Sequence, residues 1–432
     1  LMGGCVAMSA SAQETKQSQD LSVELNPVVV TGTGTHHRLK DTPTPVEVVT
    51  ANDIKKAGIT DFREAMTALV PSLSFSTNSM GDYLMLNGLS NKYVLILING
   101  KKLTGDSSNN IDLNRIDMSN VKRIEVLKGA GSALYGSDAI GGVINIITNQ
   151  PINDITVTSN TKVEERGQFT QTANVDIKTE KFASYTSYQR RQSDGWTLTR
   201  VDADGEARDQ HDANAFYTDN YTQMFQFTPN DKLSMYVEGS YYDRTVKRQP
   251  EYLKYNLTYD AYSLGAGAKY NFNKRSYIQF DIKNDNYDTN YLYTNEDGDN
   301  KVGDEVRQKR QHYYSGNLKS LFRFTENTRT IFGVEYIQET LDRPSFNVDE
   351  RAYTWAAYAQ EEITLFKNLQ IQAGLRYVYH ETAKSNVTPK LAVMYRLGDF
   401  TIRGQYSAGF RAPGLDELYK YSYSQRGTRA GT

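Results

Sequence analysis

Two glycine-rich stretches are the first candidates for binding chemistry, because closely spaced glycines let backbone N–H groups approach a phosphate. The first, residues 31–34 (TGTG), lacks the third glycine and the following helix of a dinucleotide-binding loop. The second, residues 129–142, lacks the Lys-Ser or Lys-Thr pair of a P-loop, so its glycines are expected to allow tight turns. The single cysteine, Cys5, excludes a disulfide within the chain and a cysteine-based metal site.

Residues 26–35 (NPVVVTGTGT) indicate recognition through the backbone. Pro27 is followed by three valines, which favour an extended strand, and the glycines and threonines after them keep the chain flexible. An exposed extended segment can add itself to the edge of a partner's sheet. An ordinary edge strand has the same composition and is the alternative.

Composition leaves a secreted protein and a membrane protein open. The chain has 432 residues, a net charge of −2 and a mean hydropathy of −0.61. No strongly basic face indicates nucleic acid, and no apolar run approaches the roughly 18 residues of a membrane-spanning helix. Strands of a membrane barrel give the same hydropathy, because they alternate apolar and polar residues. The 31 tyrosines suit aromatic girdles at membrane interfaces, or a tyrosine-rich secreted β-protein.

The first residues look like the end of a secretory signal whose charged start is missing. Residues 1–12 are small and apolar and end in Ala-Ser-Ala, so cleavage is expected after Ala12. Acylation of Cys5, as in a lipoprotein, is the alternative. Residues 13–25 are polar and are expected to be disordered.

Residues 40–150 read as a compact α+β domain. Asp53 is expected to cap a short helix around residues 54–57. A second helix is predicted at 61–69, because its apolar residues fall on one face. The Asn99-Gly100 pair predicts a tight turn. The strands are predicted at residues 46–49, 94–98, 121–127 and 143–147.

From about residue 154 the sequence changes to long strand-like runs that alternate apolar and polar residues. Thirteen runs are predicted, at residues 154–165, 168–179, 181–192, 215–229, 231–245, 259–273, 275–293, 309–326, 328–343, 351–367, 368–382, 386–398 and 399–410. Very short turns alternate along the chain with longer polar connections, apart from a short first hairpin. Outer-membrane barrels have short periplasmic turns and long extracellular loops, whereas a β-sandwich has no reason to keep that order.

Five stretches resemble TonB-dependent outer-membrane receptors. Residues 26–34 resemble a TonB box, and residues 43–49 (PTPVEVV), 85–100 (MLNGLSNKYVLILING) and 121–147 (VKRIEVLKGAGSALYGSDAIGGVINII) resemble the plug. Residues 409–413 (GFRAP) resemble a motif on a later extracellular loop. The resemblance implies an α+β plug domain inside an antiparallel transmembrane β-barrel of 22 strands, about 13 of which are present. The expected organisation is a signal-peptide remnant (1–12), a flexible segment (13–39) with the TonB box at about 26–33, a plug domain (40–152) and an incomplete barrel (153–432).

The resemblance also implies a function, which is TonB-dependent import of a scarce ligand by remodelling of the plug. The expected partners are TonB with its inner-membrane energising complex, outer-membrane lipid and a small metal-chelate ligand, and no nucleic acid. No catalytic residue, cofactor or bound metal is expected. The location implied is the outer membrane of a Gram-negative bacterium, with plug and TonB box facing the periplasm.

The cargo expected first is an iron chelate, either a siderophore or haem. Cobalamin or an oligosaccharide is the alternative within the family, and a passive porin or surface adhesin is the alternative from another class. A porin or adhesin predicts neither plug nor TonB box.

Candidate site residues fall into three groups. TonB contacts are expected at Pro27, Val28, Val29, Val30 and Thr31. Arg123 and Glu125 are expected to meet opposite charges on the barrel wall. Ligand contacts are expected in plug loops and near the GFRAP motif, at Asn78, Met80, Tyr83, Ser107, Asn109, Arg411, Tyr419 and Tyr421. Three histidines in or beside the extracellular loops, His211, His312 and His380, are interpreted as solvated loop residues rather than as haem ligands.

Overall fold

The computed structural model describes residues 6–11, 28–78, 81–103, 110–201, 205–248, 253–419, 421–424 and 427–430. Among them, no helix is both long and apolar enough to cross a membrane. The strands up to residue 148 are β1 (Val6–Ser11), β2 (Val28–Val29), β3 (His37–Arg38), β4 (Val46–Thr50), β5 (Leu73–Asn78), β6 (Gly81–Leu86), β7 (Leu89–Ser90), β8 (Val94–Ile98), β9 (Lys101–Lys102), β10 (Val121–Lys128) and β11 (Gly142–Thr148). The helices are α1 (Ala51–Lys56), α2 (Phe62–Leu69) and α3 (Ser132–Tyr135), with single 3₁₀ turns at Leu39–Asp41, Asn91–Tyr93, Leu113–Arg115 and Met118–Asn120.

Residues 28–148, called the plug below, are built around a five-stranded sheet in the order β4-β10-β11-β8-β9. Strands β8 and β11 run parallel, and the other neighbouring pairs are antiparallel. Helix α2 places Phe62, Ala65 and Met66 in the apolar core beside β10 and β11. Gly142 passes so close to β10 that a Cβ atom would lie 2.4 Å from the carbonyl oxygen of Leu127. Only glycine fits there without displacing the backbone.

Side-chain caps decide where the first two plug helices begin. The Thr50 hydroxyl accepts a hydrogen bond from the Asp53 N–H at 3.2 Å, and the Asp53 carboxylate accepts one from the Thr50 N–H at 2.9 Å. This reciprocal capping box makes Thr50 the N-cap, so α1 begins at Ala51, earlier than predicted. Asp61 caps α2 by accepting from the Glu64 N–H at 2.9 Å.

The rest of the described chain forms a large antiparallel sheet, called the wall below. Its strands are β12 (Ile155–Glu164), β13 (Gln168–Lys178), β14 (Phe182–Ser193), β17 (Phe216–Asn230), β18 (Leu233–Val246), β19 (Tyr255–Asn273), β20 (Ser276–Tyr293), β21 (Glu305–Phe322), β22 (Thr328–Arg343), β23 (Val348–Leu365), β24 (Leu369–His380), β25 (Lys384–Leu397) and β26 (Phe400–Ser407). These thirteen strands, each hydrogen-bonded to the next, confirm the thirteen predicted runs within the described residues. Strand β1 adds to the sheet beside β12.

Among the described residues that follow the plug, two hairpins, one short helix and one 3₁₀ turn lie outside the thirteen strands of the wall. Strands β15 (Trp196–Val201) and β16 (Ala207–Ala213) form a hairpin within the long connection after β14. Beyond β26 lie helix α4 (Leu415–Leu418) and the paired strands β27 (Tyr421–Ser424) and β28 (Gly427–Ala430). A 3₁₀ turn at Pro344–Phe346 connects β22 to β23.

The two faces of the wall differ in polarity as predicted. On β24 the side chains of Gln372 and Arg376 are buried against the plug, whereas Leu375 and Tyr377 point away from it and are 52% and 46% exposed. Strand β13 likewise buries the polar side chains of its inner face. Apolar residues outside and polar residues inside are typical of a membrane barrel with a wet lumen.

Aromatic side chains mark both ends of the outer face. One row, near the long connections, lies on four neighbouring strands and comprises Tyr188, Tyr221, Tyr241 and Tyr262. Another group lies near the short turns and comprises Phe182, Phe227, Phe272 and Phe322. The apolar band between them is therefore bounded by rings on both sides, as in a sheet that faces lipid.

The wall curves around the plug. Arg191 of β14 forms an ion pair with Asp61 at 2.7 Å, and the Ser407 hydroxyl of β26 donates to the carbonyl of Ala130 at 2.9 Å. Contacts with plug residues thus occur near both ends of the thirteen-strand series. Contacts with the wall therefore hold individual plug residues in place.

Candidate functional site

Residues 28–35, called the coupling segment below, fold back on themselves. Strand β2 pairs with β3, and between them the N–H groups of Thr33 and Gly34 donate to the carbonyl of Val30 at 3.3 and 2.7 Å. The sequence predicted an exposed and flexible segment here. The structure instead buries Val29, Thr31 and Thr33, because plug and wall supply partners for the backbone of this segment.

Glu125 is the centre of the plug's contact with the coupling segment. Its Oε2 atom accepts hydrogen bonds from the N–H of Val30 at 2.9 Å, the N–H of Thr31 at 2.7 Å and the Thr31 hydroxyl at 2.6 Å. Its Oε1 atom pairs with the Arg123 guanidinium at 2.7 Å. A fully buried carboxylate is tolerated when it is paired and hydrogen-bonded in this way.

The predicted pairing of Arg123 and Glu125 with the wall is therefore corrected. Both residues lie on β10, and the structure pairs them with each other. Their side chains share one face of the strand because they are two residues apart. Facing the coupling segment, Glu125 meets backbone donors rather than a cation of the wall.

The residues that follow the coupling segment form ion pairs and close contacts with the wall. The His37 imidazole lies 3.0 Å from a carboxylate oxygen of Glu362, and Arg329 pairs with the same carboxylate at 2.8 Å. Beyond it, Asp41 forms an ion pair with Arg396 at 2.6 Å. The segment and the residues that follow it thus lie between plug and wall.

A second set of contacts fixes the opposite part of the plug. The Asp112 carboxylate accepts hydrogen bonds from the hydroxyls of Tyr242 at 2.5 Å and Tyr287 at 3.1 Å, and it pairs with Arg244 at 3.2 Å. All three partners lie on wall strands. One plug carboxylate therefore connects β18 and β20.

Arg115 repeats this arrangement with the charges reversed. Its guanidinium pairs with the Asp285 carboxylate of β20 at 2.8 Å, and the two side chains are 5% and 0% exposed. The two charges depend on each other, since neither has access to bulk water.

The pKa of Asp112 allows a prediction. Burial alone raises this pKa, but Arg244 and the hydrogen bonds from Tyr242 and Asn114 outweigh it and lower the pKa to about 2. An unfolded aspartate titrates near pH 4, so the ionised carboxylate stabilises the seated plug by about 2 kcal/mol above that pH. The contribution is lost as the pH falls from about 4 to about 2. We expect urea unfolding at a series of pH values to show this decrease in the free energy of unfolding. The variant Asp112→Asn is expected to lack the decrease.

A cavity of about 480 Å³ lies between plug and wall. Its lining extends from Gly34 and His36 of the coupling region to His380, Arg411 and Asp416 on the side of the long connections. The predicted ligand residues, apart from Arg411, do not line it among the described residues. Burial, together with the nearby cations Lys269 and Arg123, lowers the pKa of His36. The cavity therefore extends from the coupling segment to the rim and is lined by both polar and apolar side chains.

Arg411 and Tyr419 have structural partners. The Arg411 guanidinium donates to the carbonyl of Lys92 at 3.0 Å and also pairs with Glu417. Tyr419 packs beside an apolar cluster that includes Leu341. The GFRAP loop is thus fastened to the plug, and the predicted ligand contacts of both residues stay predictions.

The other predicted ligand residues lie in or beside loops. Tyr83 is half-buried on β6, and for Asn78 and Tyr421 the structure gives only their strand positions. Pro27, Met80, Ser107 and Asn109 lie outside the described residues.

Sequence reasoning missed the residues that connect plug and wall, notably Asp112, Arg115, Arg244 and Asp285. Arg244 and Asp285 are two of many polar residues at inward-facing positions of the wall, so their residue types did not distinguish them in the sequence. The one available hint to these contacts was the presence of two opposite charges, Asp112 and Arg115, close together in the plug sequence.

Two family models match this chain. The TonB-dependent receptor plug domain matches residues 38–143, and the TonB-dependent receptor-like β-barrel matches residues 166–432. Together they cover most of the sequence.

Individual proteins are similar over nearly the whole chain. An iron-regulated outer membrane virulence protein of Vibrio cholerae is 24% identical over 96% of this chain and 64% of its own length. The vitamin B12 transporter BtuB of the same species is 25% identical over 92% of this chain and 64% of its own length. The chain thus spans about 64% of these relatives. The crystal structure of the siderophore receptor PirA from Pseudomonas aeruginosa shares the fold, with a TM-score of 0.68, 19% identity and coverage of 89% of this chain and 68% of that one.

Proposed function

The chain belongs to the family of TonB-dependent receptors, and from this premise we propose that it imports a scarce ligand across the outer membrane of a Gram-negative bacterium. TonB, with its inner-membrane energising complex, supplies the force. The plug and the coupling segment face the periplasm. The aromatic rows of the wall support its insertion in a membrane, because rings of this kind gather at both membrane interfaces.

The coupling segment carries this proposal. It buries Val29 between plug and wall, and Glu125 there holds the backbone N–H groups of Val30 and Thr31. Pulling on such a segment acts directly on β10, an interior strand of the plug sheet that lies between β4 and β11. Residues 27–31 are the contact that TonB makes as an added strand.

An iron chelate carried by a siderophore is the first candidate cargo, and cobalamin is the second. A ferric enterobactin receptor and a vitamin B12 transporter are each 25% identical to this chain. Haem has less support: His380 accepts hydrogen bonds from the N–H groups of Thr382 and Ala383, and His312 lies against the ring of Tyr314.

A passive pore or an adhesin fits the contacts poorly. The plug lies inside the curved wall and is held by buried ion pairs such as Arg115–Asp285. An open diffusion pathway needs no such filling. The family likewise consists of receptors and transporters, and we propose no enzymatic step.

Growth of a deletion strain identifies the cargo. The strain is supplied with ferric siderophore, haem or cobalamin as the only source of the nutrient, with and without the gene for this protein. We expect the gene to restore growth on a ferric siderophore. Restoration on cobalamin alone assigns the second candidate, and growth that never depends on the gene contradicts the importer.

A further inference from the structure

We propose that Asn145 connects the coupling segment to a gate in the plug, the hairpin tip at residues 99–102, which separates two cavities on the cargo route. The hairpin tip consists of the Asn99-Gly100 turn and β9. This inference rests on the proposed function, because a gated route between plug and wall is needed only by a protein that imports cargo.

A second cavity, of about 370 Å³, lies between plug and wall beside the first one. Leu97 of β8 lines the 480 Å³ cavity, whereas the next residue, Ile98, lines the second, because successive side chains of a strand point to opposite faces. Asn99 and Lys101 line both cavities. Four side chains of the wall strands β19 and β20 also line both, namely Lys269, Gln279, Asp281 and Lys283. The hairpin tip is therefore the partition between the two cavities.

Together the two cavities extend along the height of the wall. The first begins at the rim, beside His380 and Arg411. The second reaches Gln226 and Ser234, near the short turn between β17 and β18. Each lies in the lower half of the range of roughly 300–1,000 Å³ that is usual for small-molecule pockets. Displacement of the hairpin tip joins them into one larger space between the rim and the short turns.

The side chain of Asn145 contacts both the coupling segment and the hairpin tip. Its Nδ2 atom donates to the Thr31 hydroxyl at 3.1 Å, and its Oδ1 atom accepts from the Gly100 N–H at 3.0 Å. Asn145 is 2% exposed and lies on β11 opposite Glu125, which binds the same hydroxyl. A buried amide group that loses its acceptor is left unsatisfied, which costs free energy. Withdrawal of Thr31 therefore weakens the hold of Asn145 on Gly100.

Polar contacts hold the hairpin tip against plug and wall. Lys101 pairs with Glu238 of β18 at 2.6 Å. Lys102 pairs with Asp138 of the plug at 2.8 Å, and its carbonyl accepts a hydrogen bond from Lys283 of β20 at 2.9 Å. Water replaces such contacts at a small net cost when the tip moves.

The rest of the plug sheet is held differently. Residues 99–102 (NGKK) contain no apolar side chain, whereas β10 and β11 contribute Ile124 and Ile144 to the apolar core. Exposing that core to water opposes any movement of these two strands. Strand β9 is at the edge of the sheet and pairs only with β8 there. The hairpin tip can therefore move while the other four strands stay paired.

Hydrogen exchange of the hairpin tip tests the link in purified full-length protein, without cargo or TonB. Thr31→Val removes the hydroxyl that accepts from Asn145 and changes no residue that contacts the tip. Thr44→Val is the matched control, because Thr44 is equally buried and its hydroxyl donates to Gln372 of the wall at 3.1 Å instead. We expect exchange of residues 99–102 to accelerate about fivefold in Thr31→Val, the usual effect of one buried hydrogen bond, and to stay unchanged in Thr44→Val.

Exchange of α2 in the same samples is the internal reference and is expected not to change. Equal exchange of the hairpin tip in the two threonine variants overturns the link. An equal acceleration of α2 in Thr31→Val also overturns it, since the whole plug is then loosened. Asn145→Leu removes both hydrogen bonds and is expected to accelerate exchange of the tip at least as much as Thr31→Val.

A cross-link across the hairpin tip tests the gate. In cysteine-free full-length protein, Lys101→Cys and Glu238→Cys are joined by a short bismaleimide. The control joins Asp61→Cys and Arg191→Cys, which replace a plug–wall ion pair of 2.7 Å elsewhere. We expect the first cross-link to reduce uptake of ferric siderophore, labelled with radioactive iron, to the level of a strain without the receptor. Its binding at the cell surface is retained, and the control cross-link leaves uptake unchanged.

Any other pattern of uptake in the two cross-linked proteins overturns the gate. Loss of uptake with both cross-links means that the plug must move as a whole, and uptake that survives both means that the tip need not move. The same variants without bismaleimide show whether the protein imports at all. Hydrogen exchange does not depend on uptake, so failure of the importer function is seen separately in the growth assay.

Discussion

Deletion of residues 26–33 from the full-length protein is expected to reduce cargo uptake to the level of a strain without the receptor, while cargo binding at the cell surface is retained. The deletion removes the backbone that TonB would pair with, so no force reaches β10. The predicted ligand loops and the GFRAP loop lie elsewhere in the chain and are not changed. Uptake and surface binding of the same labelled cargo measure the two effects.

A deletion of equal length upstream, residues 17–24, is the matched control. It shortens the polar stretch predicted to be disordered and leaves the coupling segment in place. We expect uptake in this variant to remain near that of the unaltered protein. If the 26–33 deletion also transports normally, this chain does not couple through the segment and the proposed mechanism is wrong.

Replacing Arg115 by alanine is expected to detach this part of the plug from the wall. The change leaves the Asp285 carboxylate, which is fully buried, without its guanidinium partner. Breaking a buried ion pair from one side costs about 3–5 kcal/mol. Native-state hydrogen exchange of β8 and β11, measured in the whole protein, is expected to accelerate accordingly.

Two further variants test whether the expected effect depends on the burial of this ion pair. Arg190→Ala removes a partner from Asp219 at 3.0 Å, where the arginine side chain is 38% exposed, so a change below about 1 kcal/mol is expected. Arg115→Met combined with Asp285→Asn removes both buried charges and is expected to recover most of the loss. Similar exchange in Arg115→Ala and the unaltered protein contradicts the role given to this pair.

The thirteen wall strands were predictable because each strand has an apolar outer face and a polar face toward the plug, which gives the sequence a period of two. The turn at Asn99-Gly100 was predictable for a local reason: both residues have positive φ, 52° and 81°. The start of α1 was missed by three residues, since Thr50 and Asp53 compete for the N-cap and only their reciprocal hydrogen bonds decide.

The contacts of the candidate site could not be predicted in the same way. Glu125 and Thr31 are 94 residues apart, and Asp41 and Arg396 are 355 residues apart. No periodic pattern connects such pairs. Valine content predicts an extended segment at residues 28–30, but the burial of Val29 depends on partners from plug and wall that no local signal reveals.

The occupied backbone N–H groups of Val30 and Thr31 have a thermodynamic consequence. Glu125 and the sheet edge of a partner use the same N–H donors of this segment. Binding of the segment to Glu125 and its addition to a partner's sheet therefore exclude each other. A partner that binds only the released form has an apparent dissociation constant equal to the intrinsic one divided by the released fraction. If about 1% of molecules are released, binding is weakened about a hundredfold. Under the proposed function, a receptor whose segment is still held competes weakly for TonB and becomes competitive only after the segment is freed.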